Sequence, residues 1–159
     1  MESLIYHDGY KLINKIAWTI LFSPSENSVS YNNFKKHKKF TDNDLDKMLF
    51  RKSVTIRFLL HNNCEHMVDR ETGSEMTIRQ VLQFIYDFYK EEITEDNYLL
   101  GFEGEDELRE DAEIICDVEG RKMINSDVFS TEPDPIFEGF ECKTNESGDV
   151  VFETILGPT

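Results

Sequence analysis

Nowhere does this sequence hold an apolar run long enough to cross a bilayer. Its longest apolar-rich stretch, residues 12–22, is broken by Asn14, Lys15 and Thr19, whereas a spanning helix needs about 20 apolar residues. No membrane partner is therefore expected. Cysteine is also scarce. Cys64, Cys116 and Cys142 form an odd, widely spaced set of 3, which does not read as the disulfide framework of a secreted domain. The opening Met-Glu-Ser-Leu-Ile-Tyr-His-Asp lacks the basic region and apolar stretch of a signal peptide. These absences predict a soluble, reduced, intracellular protein, cytoplasmic or nuclear. The sequon Asn145-Glu146-Ser147 then reads as a loop without a sugar.

Catalytic signatures are missing as well. There is no Gly-x-Ser-x-Gly, no phosphate-cradling glycine loop and no His-Glu-x-x-His. With 32 carboxylates, a pair at any given spacing carries no information. No catalytic residue and no cofactor is assigned, and an enzyme of unrecognised type is the third reading of function. Two metal-like patterns fall short. His61, Cys64 and His66 supply zinc donors, but His61 belongs to a turn, no Cys-x-x-Cys accompanies them, and three or four donors must converge. Asp42, Asp44 and Asp46 imitate the start of an EF-hand loop, yet Lys47 stands where glycine is required and Ser53 where glutamate is required. No metal site is assigned, and the three aspartates read as acids at the start of a helix.

Positive charge is what the second half lacks most. Residues 80–159 hold 5 Lys+Arg against 22 Asp+Glu, whereas residues 1–79 hold 12 against 10. Nearly all of the net charge of −15 therefore lies in one half of the chain. Nine acids fall between Glu103 and Glu119, interrupted by Arg109 alone. Such a surface either keeps the protein soluble or steers a basic partner onto it. The leading expectation is a non-enzymatic interaction protein that docks a basic protein, such as a ribosomal, histone-like or nucleic-acid-binding one. Glu103, Glu105, Asp106, Glu107, Glu110 and Asp111 are the candidate docking residues. The alternative is nucleic-acid contact through the basic segment Lys35–Arg57, with Lys35, Lys36, Lys38 and Lys39 as candidates. Tyr31, Phe34 and Phe40 lie nearby, and basic plus aromatic character suits single strands. The net charge opposes that alternative, since most of the molecule would repel a phosphate backbone.

Alanine occurs only at Ala17 and Ala112 and proline only 4 times, while Asn, Lys, Ile and Phe abound. This is the bias of an AT-rich genome. In texture the chain resembles small uncharacterised proteins of giant DNA viruses. The resemblance is one of composition, rests on no motif and transfers no functional residue. It implies a viral protein acting inside a host cell.

What remains is a pattern of elements. A chain of 159 residues with 12 Phe, 6 Tyr and 13 Ile suits a single domain with a real core. A helical N-terminal part over residues 1–50 and an α+β core over 54–159 are expected. Leu12, Ile13, Ile16, Ala17, Ile20 and Leu21 recur at the helical period and predict a helix over 8–22. A short helix is expected from Thr41 or Asp42 to about Phe50. Val54, Ile56, Phe58 and Leu60 alternate along a strand, with a return strand over 64–68. Thr77 and Gln80 form a capping box before a helix over 78–92 whose broad apolar face is Ile78, Val81, Leu82, Ile85, Phe88 and Tyr89, widened by Phe84 and Tyr86. Strands are predicted over 98–102 and 113–118, and a hairpin over 136–143 and 149–156. The fold class is α+β, a mainly antiparallel sheet packed on a long central helix. The order of elements over 54–118 resembles a ubiquitin-like β-grasp core.

Overall fold

The structure, a computed structural model, describes residues 1–25, 27–32, 38–61, 66–129 and 134–157. The fold is α+β with a mainly antiparallel sheet, as the sequence predicts. The helix expected over 8–22 stops early. α1 (His7–Ile13) is followed by a strand, β1 (Ile16–Thr19), in which Ile16 and Trp18 are buried while Ala17 and Thr19 are half-buried. That burial alternates with the period of two that a strand imposes. The apolar residues of this stretch satisfy both periods, and β-branched and aromatic side chains favour the extended one where a sheet is on hand. Asn14 marks the switch. Its side-chain oxygen accepts the Phe140 amide at 3.0 Å. Gly139, at φ 116°, makes room for it, because a Cβ there would stand 2.6 Å from that oxygen.

β2 (Ser30–Tyr31) pairs with β1. α2 (Asp42–Leu45) is shorter than expected, and the predicted helix to Phe50 ends instead in β3 (Met48–Phe50). Thr41 caps α2 by accepting the Asp44 amide at 3.1 Å, while Asp44 accepts the Thr41 amide at 3.1 Å. The described residues of 1–50 thus form two helices and three strands, not a helical segment. β4 (Thr55–Leu59) and β5 (Met67–Glu71) form the next hairpin, followed by β6 (Met76–Thr77), which pairs with β3.

α3 (Ile78–Lys90) begins with the expected capping box. The Gln80 amide reaches the Thr77 hydroxyl at 3.2 Å and the Thr77 amide reaches Gln80 Oε1 at 2.9 Å. Its buried residues are Ile78, Val81, Leu82, Ile85, Phe88 and Tyr89, the face read from the sequence. Phe88 stacks on Phe58 of β4 with ring centroids 4.0 Å apart, and the Tyr89 hydroxyl donates to the Leu59 carbonyl at 2.9 Å. Burying one such aromatic stabilises by about 2–3 kcal/mol. No single helix dominates, because α3 has 13 residues and a later helix has 14.

The strands predicted over 98–102 and 113–118 are helices: α4 (Glu95–Gly101) and α5 (Asp106–Glu119). The Thr94 hydroxyl caps α4 by accepting the Asn97 amide at 3.2 Å. In α5, Leu108, Ala112 and Cys116 are buried at a spacing of four, and Gly120 closes the helix at φ 66°. A left-handed residue there satisfies the last carbonyls, and glycine adopts it without strain. A short 3-10 helix, Asn125–Phe129, leads to the C-terminal hairpin β7 (Ile136–Thr144) and β8 (Val150–Gly157). This hairpin was legible in the sequence. Its turn is held by the Asn145 side chain, which accepts the Ser147 and Asp149 amides at 3.0 and 2.9 Å.

Six strands form one sheet in the order β2-β1-β7-β8-β4-β5. All neighbours are antiparallel except β4 and β8, which run parallel. The β-grasp resemblance covers residues 54–118. The hairpin and helix lie there, but the further strands come from residues 136–157 and pair with β4 through β8. Among the described residues, no helix is long and apolar enough to cross a membrane.

Candidate docking surface

α5 is fixed to the body at its C-terminal end by one carboxylate. Asp127, buried in the 3-10 helix, accepts two hydrogen bonds from the Arg121 guanidinium at 2.8 and 2.9 Å. It also accepts the Ile124 amide at 2.8 Å and the Cys116 thiol at 3.6 Å. Burial acts to raise the Asp127 pKa, but the donors from Arg121 and Ile124 outweigh it and hold the carboxyl below its ordinary value. The Cys116 thiol is pushed up, first by burial and then by the Asp127 charge. With its inner residues packed and this end tied down, α5 presents a defined outer face.

All six candidate docking residues lie at or on this helix. Glu103 and Glu105 stand in the approach to it, Glu105 at the N-cap position, and Asp106, Glu107, Glu110 and Asp111 lie in its first two turns. Glu105 is half-buried and the others are exposed. Acids in a first turn also suit the positive end of a helix dipole. Farther along, Asp106 and Glu113 share Arg109 at 3.4 and 3.9 Å, Glu113 accepts the Tyr98 hydroxyl, and Glu119 pairs with Arg121. Among the described residues, Glu103, Glu105, Glu107, Glu110, Asp111 and Asp117 enter no ion pair.

The other described residues do little to neutralise them. Each basic residue of the second half is engaged elsewhere: Lys90 over the Tyr86 ring, Arg109 and Arg121 as above, Lys122 with Glu92 and Lys143 with Glu153. Among the described residues, a single ion pair joins a base of the first half to an acid of the second, Arg70 to Glu91 at 3.2 Å.

The sequence missed the middle of this face. Ile114, read as the heart of a strand, is 59 % exposed, and Val118 is 81 % exposed. At 3.6 residues per turn they fall on the outer side of α5, opposite Leu108, Ala112 and Cys116. Glu110 and Asp117 flank them on one side, Asp111 on the other, and Glu107 lies two turns ahead of Ile114 on the same line. The spacing of Leu108, Ala112 and Cys116, with Gly120 beyond, was the signal for this helix.

The competing candidates are less well assembled. Lys35, Lys36 and His37 lie outside the described residues. Lys38 sits 4.9 Å from the centre of the Tyr31 ring, and Lys39 donates to the Asn27 carbonyl. Arg51 donates to the Ile5 carbonyl at 2.8 Å and Arg57 pairs with Asp69 at 2.8 Å. Asp42 and Asp46 hold Arg79 at 2.8 and 3.0 Å. Asp44 takes up the Tyr31 hydroxyl at 2.9 Å, and burial together with that carboxylate pushes the Tyr31 pKa up to about 12. Of the zinc-like donors, Cys64 lies outside the described residues. His61 Nε2 shares a hydrogen bond with the Glu103 carbonyl and His66 Nε2 one with Asn97 Oδ1, each at 2.9 Å. Among the described residues, no group of three or more His, Cys, Asp or Glu is placed to hold a metal ion.

A half-open cleft of about 340 Å³ lies beside the Arg121–Asp127 pair, lined also by Leu21, Lys90, Ile115 and Phe129. Its guanidinium and carboxylate are committed to one another. Compared with known proteins, the chain matches no family model, no curated protein and no solved structure.

Proposed function

We propose that this chain is a non-enzymatic interaction protein that docks a basic partner protein through the acidic outer face of its second half. The observation that carries the reading is the set of acids on and before α5 that have no ion-pair partner among the described residues. Glu107, Glu110, Asp111 and Asp117 stand exposed on a helix whose other side is packed. Charges left unpaired on a fixed element raise the rate at which an oppositely charged protein arrives, and that gain fades with salt. The protein acts inside the cell, in a reducing compartment. The free thiols of Cys116 and Cys142 accord with this, since such thiols persist where glutathione and thioredoxin act.

The test is binding of a basic protein, such as a core histone, across a salt series. Affinity should fall about tenfold or more between low and physiological salt. Binding that is absent at low salt, or indifferent to salt, overturns the reading. Nucleic-acid contact through Lys35, Lys36, Lys38 and Lys39 gains no support from the described part of that segment, where Lys38 and Lys39 have local partners.

A further inference from the structure

We infer that the partner segment seated on α5 is a basic amphipathic helix, laid along the outer face with its apolar stripe on Ile114 and Val118. The inference rests on the docking reading above and specifies its occupant. An isolated exposed apolar side chain needs no explanation. Here two stand one turn apart on the same line of one helix, 59 and 81 % exposed. Acids border that line on both sides and at its N-terminal end, and Glu107, Glu110, Asp111 and Asp117 are all without ion-pair partners among the described residues. An apolar centre inside a polar rim is the anatomy of a protein interface. A purely electrostatic contact would need only the acids.

The geometry then dictates the occupant. The apolar pair runs along a helix axis, so the partner must supply apolar groups in a row of matching pitch. A helix does so at spacings of three and four residues. The acids flank the row on both sides, so the partner's cations must flank its own apolar row on both sides. A nucleic acid brings negative charge to the rim and is repelled. A second copy of this chain, laid α5 to α5, sets acid against acid.

The experiment compares two fluorescent peptides of about 18 residues, built from Lys and Leu in the same proportions. One places Leu at helical spacing and the other is scrambled. The full-length chain should bind the amphipathic peptide about tenfold more tightly than the scrambled one. The double variant Ile114→Ser/Val118→Ser should erase that preference and leave the affinity for the scrambled peptide unchanged. Both residues are exposed, so the variant should keep the wild-type melting temperature, and a melt confirms that the comparison is between folded proteins. Equal binding of the two peptides, unaltered by the double variant but weakened by Glu110→Gln/Asp111→Asn/Asp117→Asn, overturns this inference while the docking reading stands. Failure of both peptides to bind at low salt overturns both. Self-association that the double variant abolishes makes a second copy the occupant and likewise overturns the inference.

Discussion

α3 and α5 are nearly equal in length and put it to opposite uses. α3 buries Ile78, Val81, Leu82, Ile85, Phe88 and Tyr89 and is capped by its own Thr77 and Gln80. α5 buries Leu108, Ala112 and Cys116, the last two small, and has no side-chain cap at its N-terminus. It relies on Gly120 and on the Arg121–Asp127 pair at its other end. α3 spends its side chains on the body of the protein, whereas α5 needs only a narrow inner stripe and leaves a wide face unused by the fold. A helix held this way can carry a dense row of acids at little cost to stability, because its holding contacts and its exposed charges occupy different sides.

Breaking α3 should therefore cost most. Phe88→Ala removes the ring stacked on Phe58 and should lower unfolding free energy by about 3–5 kcal/mol, read by urea denaturation. Asp127→Asn attacks the anchor of α5 and should cost about 2–3 kcal/mol at neutral pH. This effect should depend on pH. The native carboxyl lies below its ordinary value, so its contribution is complete above the ordinary carboxylate range and is lost as pH falls through that range towards the native value. The gap between wild type and Asp127→Asn should accordingly narrow from about pH 6 to about pH 3. A constant gap would mean that Asp127 acts by shape alone. Thr77→Ala deletes one half of the α3 capping box and should cost about 1 kcal/mol. Smallest of all, Glu110→Gln/Asp111→Asn should shift stability by no more than about 0.5 kcal/mol while weakening histone binding. A large loss of stability would mean that the acids of α5 serve the fold after all.

The contrast also explains what could be read from sequence. α3 was legible because cap, period and length agree, and its six buried residues were all named, although Phe84 and Tyr86, read as widening the same face, are only half-buried. The C-terminal hairpin was legible because Asn145 and Gly148 interrupt two apolar alternations. β1 was not, since Ile16 and Ile20 fit a helical stripe and a strand face equally well. The decision belongs to β7, a partner far along the chain that pairs Trp18 with Phe137. α5 was misread around Ile114 and Ile115, where two adjacent β-branched residues suggest a strand. The inner stripe of Leu108, Ala112 and Cys116 is too small in volume to stand out among so many acids. The acids of the proposed docking face were legible from composition alone. Its apolar centre was not, because an exposed isoleucine looks like a core residue until its neighbours are placed.

The position of β8 bears on how the chain is made. It is the bridge of the large sheet, with β7 and β1 on one side and β4 and β5 on the other. Until residues 150–157 emerge from the ribosome, the β4–β5 hairpin has an open inner edge and nothing to join it to β7. Pairings between distant parts of a chain close slowly and leave strand edges uncovered meanwhile. During synthesis, then, this sheet waits for its last strand, and the nascent protein passes through a stage at which that edge can capture the wrong neighbour.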